Sequence, residues 1–130
     1  MFAYDTSMAI KIAIIEDDQA ISQMYRIKFE AEGYQVETAE NGVLGLELAE
    51  NMMPDIMLLD LMMPEMNGDE MLAKMRKTDW GKNTKVVILT NTGEQEIPET
   101  LKDLNVSAVI LKADMTPRQV AELVKQQLAS

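Results

Sequence analysis

The chain has 130 residues, 47% of them hydrophobic and 26% charged, a balance that suits one globular domain with a real core. It contains no cysteine and no histidine, which excludes disulfides, thiolate nucleophiles, sulfur-bound zinc, Ser-His and Cys-His pairs, and a histidine phosphoacceptor within the chain itself. Twelve Lys and Arg against 22 Asp and Glu leave a net charge of −10, so the expectation is no direct nucleic-acid contact and no anionic membrane partner. No run approaches the ~20 apolar residues of a membrane span. The opening MFAYDTSMAI carries Asp5 and no basic region, which predicts a soluble, cytoplasmic protein rather than a secreted one.

The first predicted element is a buried strand at Lys11 to Ile15 (KIAII), which stops at Glu16, Asp17 and Asp18. From Gln19 to Glu32, Ala20, Met24, Ile27 and Ala31 recur at helical spacing and are expected to face inward, with Gly33 closing the helix. A weaker strand follows at Tyr34 to Ala39, then Asn41-Gly42 opens a second helix through about Glu50, with Leu44 and Leu48 inward. Asp55-Ile56-Met57-Leu58-Leu59-Asp60 is nearly all apolar between two acids, as a central parallel strand covered on both faces should be. Leu61 to Gly68 reads as a loop, with Pro64 fixing its shape and Gly68 expected at positive φ, and Asp69 to Lys77 as a third helix. KVVILT at Lys85 to Thr90 is the fourth strand, a short helix is expected around Ile97, Leu101 and Leu104, and Val106 to Lys112 is the fifth strand. The last helix starts at Thr116-Pro117-Arg118-Gln119, an N-cap, a first-turn proline and a capping-box glutamine, with Val120, Leu123, Val124 and Leu128 on one face.

This alternation predicts an α/β fold with a doubly wound parallel sheet and right-handed crossovers. Such sheets bind ligands outside the carboxyl ends of their strands, and four of the five ends carry polar residues: Glu16-Asp17-Asp18, Asp60, Thr90 and Lys112. Carboxylates gathered in one pocket repel, which raises a pKa or is relieved by a cation. Oxygen donors without histidine or cysteine suit magnesium, manganese or calcium. A cation site alone needs no hydroxyl and no amine. Thr90 and Lys112 supply both, as required where a carboxylate attacks a phosphoryl group whose oxygens must be held. Singly, each feature has an ordinary reading: acids at a helix N-terminus, a strand-end acid, a strand threonine, a surface lysine. The joint pattern lifts them above it. The twelve methionines are expected to be packing atoms and Trp80 to be locally packed.

IIEDD, LLDLMMPEMNG, ILTN and ILK, in this order over residues 10 to 128, closely resemble the response-regulator receiver domain of bacterial two-component systems. The resemblance implies a chemotaxis-regulator-like, flavodoxin-like sheet of five strands in the order 2-1-3-4-5 with five helices, occupying residues 10–130 behind a mobile extension at 1–9. It implies Asp60 as phosphoacceptor, magnesium held by Asp17, Asp60 and the Met62 carbonyl with Glu16 acting through a water, Thr90 as switch hydroxyl, and Lys112 on the phosphoryl oxygen. The partners it implies are a sensor histidine kinase or histidine phosphotransfer protein and an output protein or domain, and it allows a phosphorylation-dependent dimer. An enzyme with turnover is not expected beyond the domain's own phosphoryl transfer and dephosphorylation.

Three positions depart from the family. Ala113 follows Lys112 where a cis proline is usual, Val109 stands where an aromatic switch residue is common, and Asn91 replaces a small residue after Thr90, where it is expected to crowd the acceptor. The expected switch therefore runs on backbone movement around Asn91 to Gly93, with Gly93 as hinge, rather than on an aromatic rotamer. These departures motivate the alternative of a pseudo-receiver that binds partners without phosphorylation, against which the complete acid, threonine and lysine set argues. An aspartate-nucleophile phosphatase is disfavoured by Met62, since such enzymes need a second acid two residues past the nucleophile. A nucleotide enzyme is disfavoured because no glycine-rich phosphate loop follows the first strand.

Overall fold

A computed structural model describes residues 9–91 and 97–130. Five strands, β1 (Lys11–Ile15), β2 (Gln35–Ala39), β3 (Ile56–Asp60), β4 (Lys85–Thr90) and β5 (Ala108–Leu111), form one parallel sheet in the order β2-β1-β3-β4-β5. The helices are α1 (Gln19–Ala31), α2 (Gly42–Met52), α3 (Gly68–Arg76) and α4 (Pro117–Ala129). Sheet order and alternation agree with the sequence. The helix count does not: four α-helices are present among the described residues, and the expected short helix near Leu101 is instead a 3-10 segment, Glu99–Asp103. Pro98 precedes it and Asn105, at φ 55, follows within two residues of its end, leaving too few residues for a settled α-helix. Most of the 1–9 extension lies outside the described residues, as does Gly93. No helix among the described residues is long and apolar enough to cross a membrane.

Strand alternation sorts the core into two layers. Ala13, Ile15, Met57, Leu59, Val86 and Ile88 face α2 and α3, while Ile12, Ile14, Leu58, Val87, Leu89 and Ile110 face α1 and α4. β3 is buried at all five positions, as expected for the central strand. Helix ends follow local chemistry: Asp18 accepts from the N–H groups of Ala20 and Ile21 at 2.9 and 3.1 Å, Asn41 accepts from Leu44 N–H at 2.8 Å, and Thr116 with Gln119 completes the capping box. Gly33 closes α1 at φ 93, a conformation that costs glycine little.

Two helices present a different face from the one periodicity suggests. In α1, Ala20, Met24, Ile27 and Ala31 are exposed, and Ser22, Tyr25 and Phe29 are buried. The stripe that meets the sheet instead carries the two rings, with Ile21 partly buried beside them. In α2, Leu44 is exposed and Leu48 half-buried, while Gly42, Gly45, Ala49 and Met52 face inward. That smooth face lets α2 lie close on the sheet and α3. Five methionines, Met52, Met57, Met63, Met71 and Met75, fill the core as expected, and Trp80 packs half-buried against it. Met53 and Met62 are exposed.

Candidate functional site

The carboxyl ends of β1, β3 and β5 converge on a pocket of about 250 Å³ lined by Glu16, Asp17, Asp18, Ile21, Asp60, Met62, Asn91 and Lys112. Strand register explains the meeting. Counting two residues on from Ile14, Leu58 and Ile110, all on the α1/α4 face, reaches Glu16, Asp60 and Lys112, so these three share one face of the sheet edge. Asp60 is the last residue of β3 and pairs with Leu89. Thr90 is one residue further along β4, opposite Leu111, and Lys112 N–H donates to the Thr90 carbonyl at 2.9 Å. Thr90 is 1% exposed and is not among the residues lining the pocket.

Lys112 bridges the two buried acids. Its Nζ lies 2.6 Å from Glu16 Oε2 and 3.3 Å from Asp60 Oδ2, with 8% of its side chain exposed. Glu16 Oε1 accepts from Asp18 N–H at 3.1 Å, and Met62 N–H donates to Asp60 Oδ1 at 3.3 Å. Burial, followed by the Glu16 charge, pushes the Asp60 carboxyl up to about 7, against the opposing pull of Lys112. Burial alone would lower the Lys112 ammonium, but its close ion pair with Glu16 and the charge of Asp60 outweigh that and hold it above the ordinary lysine range. Three carboxylates around one ammonium remain under-neutralised.

The pocket fits a hard cation on its own chemistry. One oxygen from each of Glu16, Asp17 and Asp60 lies within 4.8 Å of the others. Glu16 Oε2 is buried and receives no hydrogen bond of good angle, only the Lys112 charge. An all-oxygen, net-negative donor set of this kind suits magnesium or a close relative. Asp18 lines the same pocket but is occupied in capping α1.

The loop after β3 is shaped by contact rather than by unusual torsion at its glycine. Gly68 does not have the positive φ expected of it; it begins α3 so close to Asp60 that a Cβ would collide with the Asp60 carbonyl oxygen. Glu65 supplies the left-handed turn at φ 67. No peptide bond among the described residues is cis, so Lys112-Ala113 is trans. Asn91 is exposed at the pocket rim rather than packed on Asp60, and Val109 is 44% exposed. Two residues escaped the sequence reading. Arg76 donates to the carbonyls of Leu104, Gly81, Thr84 and Asn105 at 2.8, 2.9, 2.7 and 3.1 Å, tying the turn after α3 to the turn before β5. Tyr25 is buried beneath the site; its four-residue spacing to Phe29 was the available signal.

The family profile of the response regulator receiver domain matches residues 12–125. Sporulation initiation phosphotransferase F of Bacillus subtilis is 36% identical over 94 residues, covering 72% of this chain and 74% of that protein. The DNA-binding dual master transcriptional regulator RpaA of Synechocystis is 37% identical over 84 residues, and the match spans 65% of this chain and about a third, 35%, of that regulator's length. Among solved structures, a CheY-like receiver domain protein from Methanospirillum hungatei superposes with a TM-score of 0.85 at 30% identity, over 93% of this chain and 94% of its own.

Proposed function

Because the chain belongs to the response-regulator receiver family, we propose that it works as a phosphorelay switch whose acceptor is Asp60, with residues 10–130 as the receiver unit. The observation that carries this is the buried Glu16–Lys112–Asp60 bridge at the carboxyl edge of a parallel sheet. In the transfer, an Asp60 oxygen forms a bond to phosphorus as the phosphorus–nitrogen bond of a donor phosphohistidine breaks and the imidazole departs. Lys112 already stands against Asp60 and is in reach of an incoming phosphoryl oxygen. Thr90 is the hydroxyl that moves toward the phosphoryl group and carries the loop beyond β4 with it, since a phosphoryl group adds roughly −1.5 to −2 charges and strong acceptor oxygens at the site. With an exposed valine at 109, the switch runs through the backbone.

Asp17, Asp60 and the Met62 carbonyl would hold magnesium, with Glu16 acting through a water. When bound, magnesium offsets negative charge on the carboxylates and the transferring oxygens. A receiver of the same fold, from sensor histidine kinase PA1611 of Pseudomonas aeruginosa, has a magnesium ion coordinated in its active-site cleft. The donor is a histidine kinase or histidine phosphotransfer protein, and the acceptor of the signal is an output protein or domain. At net charge −10, the segment itself is expected to make no direct nucleic-acid contact, and the setting this reading implies is the cytoplasm, where a histidine-kinase donor would meet it. Chemistry is limited to its own phosphorylation and dephosphorylation. Incubation with a small acyl phosphate and magnesium should add one phosphoryl group to the intact mass of the parent and none to Asp60→Asn; undiminished addition to the variant would sink the assignment.

A further inference from the structure

A cavity of about 470 Å³ lies where α1 and α2 pass the end of the edge strand β2, and phosphoryl transfer makes no use of it. Its size falls within the roughly 300–1,000 Å³ usual for small-molecule sites. Thr38 and Ala39 come to it from β2, and Gln19 and Ser22 from the start of α1. Its α2 wall is Leu44, Glu47, Leu48 and Asn51, a set at three- and four-residue steps that makes one helix face. Leu44 on that face is 43% exposed. Ser22 is only 2% exposed, yet it lines the cavity and its hydroxyl has no hydrogen-bond partner among the described residues. A hydroxyl taken this far out of water without a protein partner must be satisfied from the cavity.

Glu40 and Glu47 bring two carboxylates to the same cavity. Neither is in a salt bridge among the described residues, and no lysine or arginine lines the space. Gln19 Nε2 approaches Glu40 Oε2 only to 3.5 Å, too far to offset that charge. We propose that this cavity binds an aliphatic diammonium compound. The two carboxylates take the ammonium groups, the Ser22 hydroxyl accepts from one of them, and Leu44 and Leu48 cover the hydrocarbon between. An anion would be repelled, a neutral ligand would leave both acids unpaired, and a single ammonium would leave one. The site is independent of whether Asp60 is the phosphoacceptor.

The test titrates the full chain with 1,4-diaminobutane at constant ionic strength, in excess magnesium so that the diamine does not compete for the Glu16, Asp17 and Asp60 cluster, and follows amide shifts by NMR. Saturable shifts should gather at residues 19–22 and 38–51, and 1,4-butanediol, the neutral compound of the same chain length, should produce none. Glu40→Gln combined with Glu47→Gln should weaken binding by about five-fold or more, and Ser22→Ala by about two- to ten-fold. Glu50→Gln, the same loss of charge on α2 outside the cavity, should leave affinity unchanged. Shifts that do not saturate, shifts centred on the Asp60 pocket, a loss in Glu50→Gln equal to that of the double variant, or full affinity in Ser22→Ala would overturn the site. N-acetyl-lysine amide should bind more weakly than the diamine; equal or tighter binding would overturn the two-charge ligand in favour of a lysine side chain of a partner protein.

Discussion

Replacing Asp60 by Asn should stabilise the fold, and by an amount that depends on pH. Burial and the Glu16 charge raise the Asp60 carboxyl from 3.8 to about 7, so the folded protein holds this proton more tightly than the unfolded chain. An acid shifted upward contributes least at high pH: its share of stability declines as pH rises from about 4 to about 7 and is level beyond. At about 1.4 kcal/mol per pH unit, the part of that window above about pH 5.5 corresponds to about 2 kcal/mol. Asn has no proton to lose, so the advantage of Asp60→Asn over the parent should grow by about that amount between about pH 5.5 and about pH 8. Urea unfolding at the two pH values, with divalent cations chelated, reads this as a widening of about 1 M in the gap between midpoints. A gap that does not change with pH would mean that Asp60 titrates as an ordinary carboxylate, and the account of a strained acid cluster would be wrong.

Other outcomes follow from the same contacts. Asp17→Asn removes a carboxylate from the three-acid cluster and should weaken magnesium binding by at least about ten-fold in titration calorimetry; unchanged affinity would refute the ligand set. Arg76→Ala strands the carbonyls of Gly81, Thr84, Leu104 and Asn105 and should cost about 2–4 kcal/mol in urea unfolding, with Arg76→Lys recovering less than half because one ammonium cannot span four acceptors. Thr90→Ala should still be labelled at Asp60 yet lose most of the phosphorylation-induced amide shifts over residues 97–109, whereas Val109→Ala should keep them; a Thr90→Ala protein that responds like the parent would exclude the route through that hydroxyl.

The strands and the site edge were legible in the sequence because they rest on short-range rules. KIAII, IMLLD and KVVILT are continuous apolar runs ending in polar residues, and parallel pairing alone brings those ends together. What the pattern missed depended on competition between surfaces. Ala20, Met24, Ile27 and Ala31 satisfy helical spacing as well as Ser22, Tyr25 and Phe29 do, so spacing does not select the stripe, and the fold turns the two rings inward. Gly68 needed the position of the Asp60 carbonyl, which no local rule supplies. Arg76 is a helical arginine like any other until the turns at Gly81 and Leu104 fold back on it. The Glu16–Lys112 contact joins residues 96 positions apart in sequence, and the fold alone sets its length.

The most direct measurement is the location of the phosphoryl group. After labelling with an acyl phosphate in magnesium, the acyl phosphate on the protein can be reduced with borohydride, which converts the modified aspartate to homoserine, and the site read by peptide mass spectrometry. Conversion at Asp60 alone, lost when magnesium is chelated, is the predicted result; conversion at Asp17, Asp18 or another acid with Asp60 intact would contradict the account.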